Sequence, residues 1–109
     1  MTQFKLNKND QGQFHFSLLD DREKTLLQSE MYNSKNAALN GIESVRTNAA
    51  DEVHYDYLIS ENEQYYFNLR ASNGQVIGTS KMYKTLKERN DAAQQVRISA
   101  KQAKVVTNA

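Results

Sequence analysis

The feature that most constrains this chain is an internal repeat. Shifted by 51 positions, Gln13, Phe16 and Leu18 fall on Gln64, Phe67 and Leu69. Ser29, Met31 and Tyr32 fall on Ser80, Met82 and Tyr83, and Val45, Arg46 and Ala49 on Val96, Arg97 and Ala100. No gap is needed. Nine of the 37 positions from Gln13 to Ala49 are identical, where about two would match by chance for ordinary composition. Phe4/Tyr55, Phe14/Tyr65 and Leu26/Ile77 are conservative pairs. A period of this length is the mark of a repeated supersecondary unit, here residues 1–51 and 52–109.

Each unit reads the same way. A first strand is expected over Gln3–Lys8 and over His54–Ile59. In the next strand Phe14, Phe16 and Leu18 alternate with His15, Ser17 and Leu19, and Tyr65, Phe67 and Leu69 alternate with Tyr66, Asn68 and Arg70. A period of two is that of a half-buried strand. Ser72-Asn73-Gly74-Gln75 predicts an Asn-Gly hairpin with positive φ at both central positions, leading into a third strand over Gln75–Thr79. The matching stretch Asp20–Glu23 has no glycine, which predicts a longer or looser hairpin. A helix follows. Thr85 and Glu88 have capping-box spacing, and Ser34 is the equivalent N-cap. Ala38, Ile42, Val45 and Ala49 form one apolar helical stripe; the second helix keeps Ala93, Val96 and Ala100, with Leu86 and Ala92 beside them. Gly41 and Ala92 are equivalent and small, which predicts close approach of each helix to the sheet. Lys104-Val105-Val106 suits a last short strand.

A unit of about 50 residues is marginal alone. Only 39% of the chain is apolar, so neither half can build a thick core. The economical solution is a single compact α+β domain over 1–109. In it two tandem β(3)-α-β units share one largely antiparallel sheet, related by a pseudo-two-fold axis, with both helices packed on one face. Asn48–Val53 is the boundary between units, and without Pro or Gly it does not read as a flexible linker.

With those residues in view, the chain resembles the YegP-like family of bacterial proteins of unknown function, whose members carry one or two copies of such a unit. The resemblance spans nearly the whole chain. It is most specific at Ser29-Glu30-Met31-Tyr32-Asn33-Ser34-Lys35, at Gly41-Ile42-Glu43-Ser44-Val45-Arg46, and from Tyr65 to Gly78. It implies three strands, a helix and a further strand per unit, with the last strands exchanged between units. Here those would be the segment after the first helix and Lys104–Val106. Two departures stand out: the first unit lacks the Asn-Gly turn, and the second has Ala92-Ala93 where the pattern has Gly-Ile. The family supplies no activity, substrate or site residues.

The residues offer little chemistry. There is no cysteine, hence no disulfide, thiol catalysis or Cys-based zinc site. His15 and His54 have no partner at metal-ligand spacing and no equivalent in the other copy. Asp20-Asp21 and Asp51-Glu52 are adjacent acids in loops, not two differently tuned groups in a pocket. Ser29 and Ser80 lack a partner base and suit backbone capping. Gly74 and Gly78 sit in a hairpin and a strand, so they form no phosphate loop. Tyr32 and Tyr83, repeated ahead of the helices, read as packing. No catalytic residue, metal or cofactor is therefore expected.

Tyr66, Asn68 and Arg70 alternate outward on one strand, with His15 and Ser17 at matching places in the other copy. An aromatic, an amide and a guanidinium on an open sheet face can stack and hydrogen-bond; equally, any uncovered face must carry amphipathic residues. Tyr66, Asn68, Arg70 and His15 are the candidate binding residues of a non-enzymatic binding or interaction module, whose ligand would be a protein or small molecule. Two other classes stay open. One is single-stranded nucleic-acid binding through that face or through residues 81–109, which hold 7 basic and 2 acidic side chains against 7 and 11 in residues 1–80. The other is an enzyme with a site between the units. The net charge of +1 gives no global steering field. Met1–Asp10 is mostly polar, and no stretch approaches the ~20 apolar residues of a membrane span. A cytoplasmic monomer without membrane contact is expected.

Overall fold

The computed structural model describes residues 2–107. In the first unit the elements are β1 (Gln3–Lys8), β2 (Phe14–Leu19), β3 (Thr25–Ser29) and α1 (Lys35–Asn48). A 3-10 turn over Glu52–His54 leads to β4 (Tyr55–Ile59), β5 (Tyr65–Arg70), β6 (Val76–Thr79) and α2 (Leu86–Ser99). A second 3-10 turn, Ala100–Gln102, leads to β7 (Lys104–Thr107). The strands form one sheet in the order β4-β5-β6-β3-β2-β1-β7. All neighbours are antiparallel except β1 and β7.

The two units meet at β3 and β6, where Gln28 pairs with Thr79, its own equivalent one repeat later. A residue facing its repeat partner across an antiparallel pair marks the pseudo-two-fold axis. Leu27 and Gly78, also repeat equivalents, flank that axis. They do not mirror each other: a Cβ built on Gly78 would lie 2.6 Å from Leu27 Cγ. The fully buried Leu27 occupies the room that Gly78 leaves, because the two positions share space for a single large side chain.

Alternation sends Phe4, Leu6, Phe16, Leu18, Phe67 and Leu69 to one face, where all are fully buried. The helices close that face with Ala38, Ile42, Val45, Ala93, Val96 and Ala100. A bulge at Leu18/Leu19 against β3, matched at Leu69/Arg70 against β6, sets the equivalent residues Leu26 and Ile77 into the core as well. Leu86, expected beside the apolar stripe of α2, is half exposed in the helix's first turn. Arg89 takes the buried place that Ala38 has in α1.

The caps behave as their chemistry requires. Ser34 Oγ accepts from Ala37 N–H at 3.1 Å, and Thr85 Oγ1 accepts from Glu88 N–H at 3.1 Å. The Glu88 carboxylate accepts from the Thr85 hydroxyl rather than from its backbone amide. Ser29 and Ser80 are backbone ties: each accepts from the amide of Phe16 or Phe67 at 2.9 Å and donates to the next residue's carbonyl.

The hairpins correct two expectations. Ala71 and Gln75 close the second unit's turn, yet only Gly74 has positive φ (88°); Asn73 does not, and its Oδ1 accepts from Gln75 N–H. The first unit's turn is not looser. Asp20 N–H bonds to Lys24 C=O and Glu23 N–H to Asp20 C=O, the same pattern, with Glu23 at φ 62°. Glu23 adopts a left-handed backbone at a cost of roughly 1–2 kcal/mol, offset by Asp20 Oδ1, which accepts from Arg22 and Lys24 amides at 2.8 and 2.9 Å.

Close approach at Gly41 is by side chains rather than by sheet backbone. A Cβ there would lie 2.5 Å from Tyr32 Oη and 3.0 Å from Phe16 Cε2. Tyr32 stacks on Phe16 at 6.2 Å. In the second unit Ala92 fills the equivalent place, and Tyr83 makes no such stack on Phe67 among the described residues.

The strand exchange implied by the family resemblance occurs once. β7, from the second unit, lies parallel on the outer edge of β1. Its repeat equivalent is residues 53–56, and these are already used: the turn at Glu52–His54 runs straight into β4. One segment cannot be both the last strand of the first unit and the first strand of the second. The sheet therefore has seven strands, and β4 is its far edge.

Candidate functional site

The face opposite the helices is uncovered. Strand pairing runs a continuous row across it, Val106, Lys5, Ser17, Gln28, Thr79, Asn68 and Asp56, each beside the next. Tyr66 and His15 are repeat equivalents, so the pseudo-two-fold puts them on opposite sides of this row. His15 lies beside Asn7, and Tyr66 beside Leu58.

Of the four candidate residues, the structure gathers three. Tyr66, Asn68 and Arg70 share β5 and are all half-buried. Asn68 Oδ1 accepts from Thr79 Oγ1 at 2.8 Å. Arg70 pairs with Asp56 and donates through Nη1 to Gly74 C=O at 2.6 Å. Asn68 Oδ1 and the Arg70 guanidinium are thus committed within the sheet, leaving the Tyr66 ring as the least engaged group. His15 stands on β2, three strand intervals from β5, or roughly 14 Å at ordinary strand spacing. Its Nδ1 is shut off from solvent without a hydrogen-bond partner among the described residues. No group of three or more His, Cys, Asp or Glu able to hold a metal ion occurs among the described residues.

On the helix side, a cavity of about 580 Å³ lies between the units, lined by Asp20, Lys24, Tyr83, Glu88, Asp91 and Ala92 among others. Its carboxylates are occupied. Asp20 takes two amides, Glu88 the Thr85 hydroxyl and Asp91 the Lys87 ammonium at 2.8 Å. Asp20 titrates below its ordinary value: partial desolvation opposes this, and the amides of Lys24 and Arg22 outweigh it. Burial raises Tyr83.

A second groove, about 410 Å³, runs between α2 and the edge strand β4. No repeated motif marks it in the sequence. Arg89, 8% exposed, lays its guanidinium over Tyr57 at 4.9 Å and Tyr65 at 5.6 Å. Arg97 sits over Tyr55 at 5.8 Å and donates to Tyr57 Oη at 3.0 Å; that hydroxyl in turn donates to Glu52 at 3.2 Å. Burial raises Tyr57, and Arg97 partly offsets the rise. The available signal was Arg89 standing where the buried stripe of the first helix has Ala38.

The comparisons agree with the repeat and with the fold. The model of a domain of unknown function, DUF1508, matches twice, over residues 9–56 and 60–106. YegP of Escherichia coli strain K12 is 39% identical over 105 residues, covering 96% of each chain. A Shewanella oneidensis relative, a UPF0339 protein, is 40% identical over 98 residues, 90% of this chain and 89% of its own. The solution structure of E. coli YegP, described as a protein of unknown function, superposes with a TM-score of 0.92 at 38% identity, covering 98% of this chain and 92% of that one. That of a Shewanella oneidensis UPF0339 protein gives 0.92 at 37%, covering 97% and 90%. No helix is long and apolar enough to cross a membrane among the described residues. With both halves matched by one family model and relatives aligned over nearly its full length, the chain belongs to the DUF1508 family as a two-copy member.

Proposed function

We propose that the chain is a non-enzymatic binding module, acting in the cytoplasm, that meets its ligand on the uncovered sheet face. The observation that carries this reading is the one-sided placement of the helices, which leaves one whole face of the seven-stranded sheet turned to solvent. Tyr66 offers a stacking surface, Asn68 and Arg70 continue from it along β5, and His15 marks the far side of the same face. Arg70 is held by Asp56, so the site is ordered before ligand arrives and little entropy is lost on binding.

The test is an amide-detected NMR titration with separate pools of short peptides, sugars and nucleosides. One class is expected to move Tyr66, Asn68 and Arg70 together, and Tyr66→Ala to weaken that response about tenfold. If no class moves these amides, the reading fails. Binding of a single-stranded oligonucleotide that falls steeply with salt would replace it with nucleic-acid recognition.

A further inference from the structure

The repeat allows an occupied edge to be compared with an empty one. On the outer edge of β1, β7 runs parallel, with Phe4 beside Val105 and Leu6 beside Thr107. Arg46 secures its entry: the guanidinium lies over Phe4 at 5.5 Å and Nη2 donates to Ala103 C=O at 2.7 Å. One repeat later the same parts recur on β4. Tyr55 stands for Phe4, Tyr57 for Leu6 and Arg97 for Arg46, and Arg97 lies over Tyr55 at 5.8 Å as Arg46 lies over Phe4. Only the incoming strand is missing, because the segment that would supply it has become β4.

Hydrogen-bond direction alternates along a strand. Phe67 turns its backbone groups to Ser80 and Tyr65 to Tyr83, so their partners Tyr57 and Ile59 turn theirs away from β5, toward the bare edge. Ile59 is 63% exposed there, and the groove lined by Arg89, Gln94 and Arg97 opens alongside. β4 carries no proline and no lysine, the common guards of a free edge.

We propose that the outer edge of β4 receives an extended segment of a partner protein as an eighth strand, parallel to β4. The segment's chemistry follows from the one that fits the twin edge. It has a small residue at its start, whose carbonyl meets Arg97. An aliphatic β-branched residue two positions on lies beside Tyr55, and no proline falls at the pairing positions. Strand addition of this kind takes affinity from main-chain bonds and selectivity from alternate side chains. The proposal rests on the binding-module reading but uses a different surface.

The probe is a capped synthetic peptide with the sequence of residues 100–107, titrated into the isotope-labelled full chain. Tyr57 and Ile59 amides are expected to shift and gain exchange protection while β1 amides stay put. A peptide with proline at both valines should lose the response. Arg97→Ala should weaken binding about tenfold, the effect of one charge-assisted hydrogen bond. Should Arg97→Ala not fold, the proline peptide alone decides. The proposal is overturned by silence at Tyr57 and Ile59, by an equal response to the proline peptide, or by shifts confined to β1, which would mean displacement of β7. Protection of β4 that grows with protein concentration without peptide would assign the edge to a second copy and overturn it too. A Tyr66 response in the pooled titration with none here leaves the sheet-face reading standing and removes only this one.

Discussion

Exchanging Leu27 and Gly78 between the two units tests the pseudo-two-fold axis directly. Leu27 is fully buried and its Cγ lies 2.6 Å from where a Gly78 Cβ would stand. Leu27→Gly alone removes a whole buried side chain and inserts glycine in a strand, costing about 4–6 kcal/mol. Gly78→Leu alone drives a second leucine into filled space at a cost of about 1–3 kcal/mol or more. If the sites were independent, the double variant would lose about 5–9 kcal/mol, comparable to the whole stability of a domain this size. Because they share one space across the axis, the swap should restore a leucine to it and lose only about 1–2 kcal/mol. The coupling would then be about 3 kcal/mol or more. Urea unfolding followed by circular dichroism reads this as a midpoint near wild type at unchanged slope. A swap that folds where both single variants do not is the strongest form of the result. Losses that simply add would refute the shared-space argument.

Gly41→Ala should destabilise by about 1–2 kcal/mol because the methyl collides with Tyr32, as overpacking does. In a Tyr32→Ala background the same change should cost less by about 1 kcal/mol or more, because only the 3.0 Å approach to Phe16 Cε2 remains and helix propensity favours alanine; denaturant midpoints read the difference. Asp20→Ala strips two amides of their acceptor and should cost about 1–2 kcal/mol by the same assay. Burial raises Tyr55 well above the ordinary phenol range, so its contribution is complete below pH ~10. Above that the unfolded chain ionises first, and stability falls as pH rises. Unfolding curves from pH 8 to 11 should show this fall shrink in Tyr55→Phe, which also loses the bond to Ala49 C=O.

Much of this architecture is readable from residue order because its causes are local or periodic. The alternation at Phe14–Leu19 and Tyr65–Arg70 carries the strands, the stripe at Ala38, Ile42, Val45 and Ala49 carries a helix, and the repeat carries their assembly. The hairpin geometry is not legible from the turn residues alone because it depends on a side chain three positions away: Asp20 sustains in Glu23 the left-handed conformation that glycine adopts most readily. The seven-strand count was hidden for a different reason. Residues 53–56 match both the end of one unit and the start of the next, and only the closed sheet shows which pairing is used. At the candidate face, identity predicted the outward alternation of Tyr66, Asn68 and Arg70. It did not reveal that Asp56 and Thr79, brought in from neighbouring strands, would claim two of the three polar groups.

The parallel seam between β1 and β7 joins the first strand to the last and pairs four residues of each, those of β7 all exposed. Contacts so distant in sequence form late and slow folding, and short exposed edge elements are the first to open. Amide exchange at Val105 and Val106 should therefore be governed by local fraying, while Phe16 and Phe67 exchange only through global unfolding. In the frayed state β1 and β4 are both bare, so thermal motion briefly returns to the molecule the symmetry that its linear chain denies it.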